Sequence, residues 1–290
     1  MTSAIPLRIR LESSLGERFS STLLLRERAA PLTVSIGLST LDELTGGLPR
    51  GALSEIVGPA SSGRTGVMLA ALAQTTHRRE ICALVDASDS FDPASAATAG
   101  VDLDRLLWVR CSERLSTTLS KRQAPPNTQR GSGLRPQAKA RFASGERLEQ
   151  VLKVTDLLLQ SGGFGMVVLD MGDIPPESAR RIPLTSWFRF RRAVEPTATV
   201  LLLLEQQPSA TTCASLVLRL EQETVCVRNS ASASTYLLPA QLKLPQDPGN
   251  VVSHAALLRG MGFRAEVVRS WRQRKPPQST GIHFEFRTAW

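Results

Sequence analysis

Residues 58–65 read Gly-Pro-Ala-Ser-Ser-Gly-Arg-Thr, and this short loop restricts the fold more than any other stretch of the chain. It follows a β-rich run, Leu53–Val57, and opens a segment rich in Ala, Leu and Met, Gly66–Ala73, that reads as a buried helix. Strand, glycine loop and helix in this order build a phosphate cradle. The glycines let successive backbone amides turn toward phosphate oxygens, a lysine neutralises the β and γ phosphates, and the last hydroxyl ligates magnesium. Arg64 stands in the lysine position. It keeps the charge but presents a planar fork in place of a compact ammonium, so phosphate binding is expected to survive the exchange better than phosphoryl transfer.

The chain beyond the loop alternates strand and helix patterns, which implies a parallel sheet. Ile81–Val85 reads as a strand ending at Asp86, an Ala-rich helical stretch follows, and Leu106–Val109 is the next strand. Leu148, Val151, Leu152, Thr155, Leu158 and Leu159 fall at helical spacing within 145–160, giving a crossover helix with one apolar face. Met166–Leu169, ending at Asp170, and Thr199–Leu204, ending at Glu205 and Gln206, are continuous apolar runs of the kind that central parallel strands require. A hairpin is expected over 215–227, while 257–272 and 283–286 carry no decisive pattern.

Three segments depart from this order. Residues 1–30 form a polar, Leu-bearing arm. Residues 112–144 are rich in Pro, Gly, Gln, Arg and Lys and read as a disordered basic insertion, and 231–290 form a C-terminal extension with a basic, Pro-rich tail. The core is therefore expected over 31–230. The formal charge of +9 favours an anionic partner, because a positive surface releases counterions condensed on a phosphate backbone. No apolar run approaches the roughly 18–20 residues that span a bilayer, so the reading expects no membrane partner and a cytoplasmic, nucleoid-associated protein. The four cysteines are widely spaced, without a CxxC pair, which argues against a zinc site or a disulfide framework.

The segments STLDELTGGLPRGALSEIVGPASSGRTG, LVDASDSFDPASAATAGVDLDRLLWV, GMVVLDM and VLLLLEQ resemble, in this order, the motifs of the RecA family, and the likeness runs from about Thr33 to Leu220. The resemblance implies an α/β fold: a RecA-like P-loop NTPase core with a central, mostly parallel sheet flanked by helices. It assigns nucleotide binding to Gly58, Ser61, Ser62, Gly63, Arg64 and Thr65, with Thr65 and Asp170 on the Mg2+ side and Gln206 as a polar sensor of the γ-phosphate. ATP and Mg2+ are the cofactors it implies.

Departures from the family pattern narrow the functional expectation. Where the family places a glutamate that activates the attacking water, this chain has Ser88, and a hydroxyl does not replace a carboxylate as general base at neutral pH. Ser95 stands where an aromatic would stack on adenine, and the DNA-binding loop after Gln206 is compressed to PSATTCAS. Within the family the chain is most similar to the ImuA-like group, RecA-related accessory proteins of bacterial translesion synthesis. That likeness implies single-stranded DNA, RecA and translesion polymerase components as partners, with self-association, and weak or absent hydrolysis. A true DNA-dependent ATPase, with Asp89 or Glu205 replacing the missing glutamate, and a regulator that binds RecA are the alternative readings.

Arg180, Arg181, Arg189, Arg191 and Arg192 lie between the Asp170 strand and the next one, interleaved with Trp187, Phe188 and Phe190. Arginines with aromatics suit single-stranded DNA, the rings stacking on bases while the guanidinium groups hold phosphates. The same stretch also reads as an amphipathic helix that buries its rings and solvates its arginines.

Overall fold

The computed structural model describes residues 31–111, 136–228, 234–237, 258–271 and 279–285. The arm at 1–30, the insertion over 112–135, and most of the C-terminal tail lie outside the described residues. An antiparallel pair, β1 (Thr33–Val34) with β2 (Leu48–Pro49), brackets helix α1 (Ser39–Thr45). Then come β3 (Ala52–Val57), α2 (Arg64–His77), β4 (Ile81–Asp86), α3 (Pro93–Thr98) and β5 (Leu106–Arg110). Helix α4 (Pro136–Ser161), β6 (Phe164–Asp170), α5 (Pro176–Ala179), α6 (Leu184–Val194) and β7 (Val200–Glu205) follow. Strands β8 (Ala214–Arg228), β9 (Ser234–Leu237), β10 (Leu258–Arg269) and β11 (Ser279–Glu285) complete the order.

One nine-stranded sheet organises the molecule, in the order β11-β10-β8-β3-β7-β6-β4-β5 with β9 on β8. Strands β5, β4, β6, β7, β3 and β8 are mutually parallel, whereas β9 and β10 pair antiparallel with β8 and β11 pairs antiparallel with β10. The mostly parallel α/β sheet expected for a RecA-like core is thus present. The apolar runs 166–169 and 200–204 are its inner strands, buried because side chains on both faces are covered.

Two apolar layers cover the sheet. On one face Val67, Met68, Ala71 and Leu72 of α2 join Ile56, Leu84, Val168 and Leu202. On the other, Leu148, Val151 and Leu159 of α4 and Trp187, Phe190 and Val194 of α6 pack on Leu53, Val85, Val167 and Leu201. The i, i+3, i+7 spacing of Trp187, Phe190 and Val194 turns all three to one side of α6, and the two rings meet edge to face at 5.9 Å. The turn ahead of β3 has a mechanical role: Arg50 grips Glu80 with both Nη atoms, at 3.0 and 2.6 Å, and donates to the Ala198 carbonyl, tying β3 to the starts of β4 and β7.

Three expectations change. Helix α4 begins at Pro136, so 136–144 is helical rather than part of an irregular insertion. Residues 215–227 do not form a hairpin: β8 is one 15-residue strand, held extended by β10 along one edge and by β3 and then β9 along the other. Residues past 231 add β10 and β11 to this same sheet, continuing it beyond the core boundary expected at 230. Cross-strand pairs such as Arg219 with Glu266, at 3.3 Å, accompany that extension.

Candidate nucleotide and anion site

The parallel strands deliver the expected site residues to one end of the sheet. Val57 faces Glu205 in register, Asp86 faces Asp170, and Asp170 faces Leu204, so Gly58, Asp86, Asp170 and Gln206 all emerge at the carboxyl ends of adjacent strands. This is where open α/β sheets hold ligands. Ser61 (φ 61°) and Gly63 (φ 86°) occupy the left-handed region, which makes the loop turn sharply into the first residue of α2. Gly63 is hemmed in as well: an added Cβ would stand 3.2 Å from three ring atoms of Phe263 on β10. Ser62 is fully buried, and Thr65 is exposed on the first turn of α2.

Gly58 is required for a different reason. A Cβ there would be driven into the Leu220 carbonyl oxygen and stand 2.6 Å from Ser62 Oγ. Gly58→Ala is therefore expected to cost about 1–3 kcal/mol, as overpacking of a close-fitted site does. Chemical denaturation of the variant checks this, and an unchanged midpoint would show that the loop yields freely.

Arg64 is 8 % exposed and turns toward the end of β6. Its Nη2 donates to the Gly172 carbonyl at 3.3 Å, and Gln206 Nε2 donates to the same oxygen at 3.1 Å. Asp170 Oδ1 accepts the Gly172 N–H at 2.9 Å. Burial pulls the Arg64 pKa down, opposed by the charges of Asp170, Asp173 and Glu205. Burial likewise lifts Asp170 to about 6, with the Gly172 N–H and Arg64 acting in the opposite sense and Asp86 adding to the rise.

The acids considered as stand-ins for the missing glutamate are committed elsewhere. Asp89 binds Arg110 in a two-pronged pair at 2.6 and 2.8 Å. Glu205 accepts from Ser209 Oγ at 2.7 Å, and burial, with the neighbouring Glu55 carboxylate, raises it to about 8. Asp86 accepts from the amides of Ser88, Ser90 and Phe91 and from Trp108 Nε1, so it fixes the turn that carries Ser88. Ser95 caps α3 through Asp92.

Of the arginines suggested for DNA, Arg181 and Arg192 are exposed and Arg191 is half-buried. Arg189 pairs with Asp156 of α4 at 2.9 Å and lies over the Phe190 ring. Trp187 and Phe190 are wholly buried, so the amphipathic-helix reading describes them, and Phe188, 45 % exposed, is the ring of this group that faces outward. Arg180 instead reaches the loop after β7, donating to Gln207 Oε1 at 2.5 Å. With Arg219, Gln206, Gln207 and Gly58 it lines a cleft of about 470 Å³ beside the phosphate loop.

The sequence reading passed over Glu55 and the Ser209 turn. Glu55 Oε1 accepts the amides of Ser209 and Ala210 at 3.0 and 2.6 Å, while Glu55 Oε2 and Glu205 Oε2 are buried without a hydrogen-bond partner. An acid inside the apolar strand ALSEIV was the available signal, since a buried carboxylate needs a dedicated partner.

These residues fit a phosphate. The turned loop ends at a helix N-terminus, where anions are stabilised, and Ser62 Oγ and Arg64 Nη1 are buried polar atoms without partners. Among the described residues no group of three or more His, Cys, Asp and Glu is arranged to hold a metal ion by itself. Among those residues, too, no helix is long and apolar enough to cross a membrane.

Comparison with known proteins agrees with this geometry. Residues 13–114 match the RecA N-terminal domain. The protein RecA of Nostoc punctiforme is 53% identical over 76 residues, which is 26% of this chain and 21% of that protein. The protein RecA of Ruegeria pomeroyi is 35% identical over 146 residues, 50% of this chain and 32% of that protein, and that of Brucella canis 34% over 140 residues, 48% and 29%. The chain thus spans about a fifth to a third of the length of these relatives. Sequence match and α/β architecture together support the RecA family for this core.

Proposed function

We propose that this chain is a RecA-related accessory protein of bacterial DNA repair, of the ImuA-like kind that serves translesion synthesis within the SOS response. In this reading it binds single-stranded DNA and repair proteins, RecA and translesion polymerase components among them, and its nucleotide site holds ATP with weak or no hydrolysis. The observation that carries the reading is that, among the described residues, the candidates for the missing base are committed elsewhere. Ser88 replaces the family's carboxylate, Asp89 is neutralised by Arg110, and Glu205 holds its proton at neutral pH. A protonated carboxyl cannot take a second proton, and an ion pair lowers the basicity of the carboxylate that would take the proton of an attacking water. The positive charge of the chain, with exposed Arg180, Arg181 and Arg192, supports the DNA partner.

ATP binding and hydrolysis by the purified chain, with and without single-stranded DNA, test this together with Arg64→Ala. Turnover is expected to stay at background and DNA to leave it there, while association with DNA or RecA persists in the variant. DNA-stimulated turnover that Arg64→Ala abolishes would make the protein a DNA-dependent ATPase instead.

A further inference from the structure

We propose that Glu55 and Glu205 form a proton-dependent latch on the turn after β7, so that loss of one proton from this carboxyl pair releases residues 206–213 and opens the cleft they wall. Register sets Glu55 opposite Leu203, and alternation along β7 puts Glu205 on that same face, away from Leu204 and its register partner Asp170. The two acids are therefore diagonal neighbours on adjacent strands. Ser209 holds both of them: its N–H donates to Glu55 Oε1 at 3.0 Å and its hydroxyl to Glu205 Oε1 at 2.7 Å. The Ala210 N–H also donates to Glu55 Oε1, at 2.6 Å. Glu55 and Glu205 are 0 % and 1 % exposed, and neither Oε2 has a hydrogen-bond partner.

Two neighbouring carboxyls buried in a medium of low dielectric do not both ionise near neutral pH, because repulsion and lost hydration favour one charge and one proton. Glu55 is the seat of the charge: burial raises it, but the Ala210 and Ser209 amides oppose that rise by bonding to the ionised form. Glu205 keeps the proton. The cations that act on the pair are engaged elsewhere. Arg64 of α2 acts on Glu205 and donates to the Gly172 carbonyl, while Arg269 of β10 acts on Glu55 and donates to the Thr211 carbonyl. Arg191 of α6 acts on Cys213 at the end of the turn. Once Glu205 ionises, the element free to yield is the turn, since β3 and β7 lie inside the sheet. Thr211, a β-branched residue at φ 47°, is already strained there. The turn carries Gln206, Gln207 and Pro208, which line the cleft with Gly58 and Arg180, so its release opens the space beside the phosphate loop. The latch rests neither on nucleotide nor on DNA binding.

Hydrogen exchange of the full chain, read by mass spectrometry on the peptide spanning 207–213, tests the latch. Protection of that peptide, corrected for the intrinsic exchange rate, is expected to fall about tenfold in the wild type between about pH 6.5 and about pH 9.5. In Glu205→Gln, neutral at both, it is expected to change by less than about twofold. Amides of β6 and β7 are the internal reference and stay protected, which separates release of the turn from loss of global stability. Equal protection of the turn at the two pH values in the wild type would overturn the proposal. So would a loss shared in equal measure by β6 and β7, or a loss in Glu205→Gln as large as in the wild type. Ser209→Ala removes a hydroxyl that favours the ionised form of Glu205, so its midpoint of release is expected at higher pH than that of the wild type. A midpoint at or below the wild-type value counts against the latch. Should Glu205→Gln fail to fold, the wild-type series and Ser209→Ala decide by themselves.

Discussion

Trp187→Ala is expected to destabilise the protein by about 3–5 kcal/mol, the range for emptying a buried aromatic site. Trp187 is wholly buried, meets Phe190 edge to face, and shares its layer with Leu53, Val167 and Leu201, so the cavity would open between α6 and the centre of the sheet. The indole Nε1 has no hydrogen-bond partner. Trp187→Phe, which removes that N–H and keeps an aromatic, is accordingly expected to cost less than about 1.5 kcal/mol. Urea unfolding of the two variants decides the matter. A Trp187→Ala protein as stable as the wild type but defective in single-stranded DNA binding would return this ring to the role of a base-stacking platform.

The second large effect is a pH dependence centred on Glu205. Its carboxyl is lifted from 4.5 to about 8, first by burial and then by Glu55, against the Ser209 hydrogen bond and the Arg64 charge. Because the folded state holds this proton more tightly than the unfolded chain, the contribution to stability is fully present below pH 4.5. It declines as pH rises, and is lost above about pH 8. The shift corresponds to a difference on the order of 5 kcal/mol between the two limits. Glu205→Gln, neutral throughout, is expected to match the wild type near pH 5 and to exceed it by roughly that amount near pH 9. Denaturant midpoints of both proteins across this range measure the effect, and a constant difference between them would mean that Glu205 titrates in the folded state as it does in the unfolded chain.

Glu205 and Asp170 also explain why the same loop reads differently in sequence and in space. The spacing of glycines and the acid at the end of VVLD are local features, and both landed where the pattern placed them: the loop between β3 and α2, and Asp170 at the end of β6. The direction of the Arg64 fork is not local. It depends on a carbonyl 108 residues away and on Gln206, which comes from a third strand. An arginine in place of lysine was visible from the start, but that its guanidinium donates to the Gly172 carbonyl follows from the strands that surround it.

The chain's periodicity alone determined that there would be a parallel sheet with helices on its faces. Runs such as VLLLLE and MVVLD can be satisfied only where both faces are covered, and the helical spacing of Leu148, Val151, Thr155 and Leu159 marks the covering face of α4. Tertiary structure decided which way α6 faces, since WFRFRR offers both an apolar and a basic side and only contact with the sheet settles that Trp187 and Phe190 turn inward. It decided as well that 214–228 is one strand and that 258–269 joins it, because a strand's partner is set by register and hydrogen bonding across distant residues. The pairing of Glu55 with Glu205 through Ser209 belongs to the same class. Local sequence carries backbone preference and apolar period; the cost of burying a charge is settled only by the neighbours that the fold assembles around it.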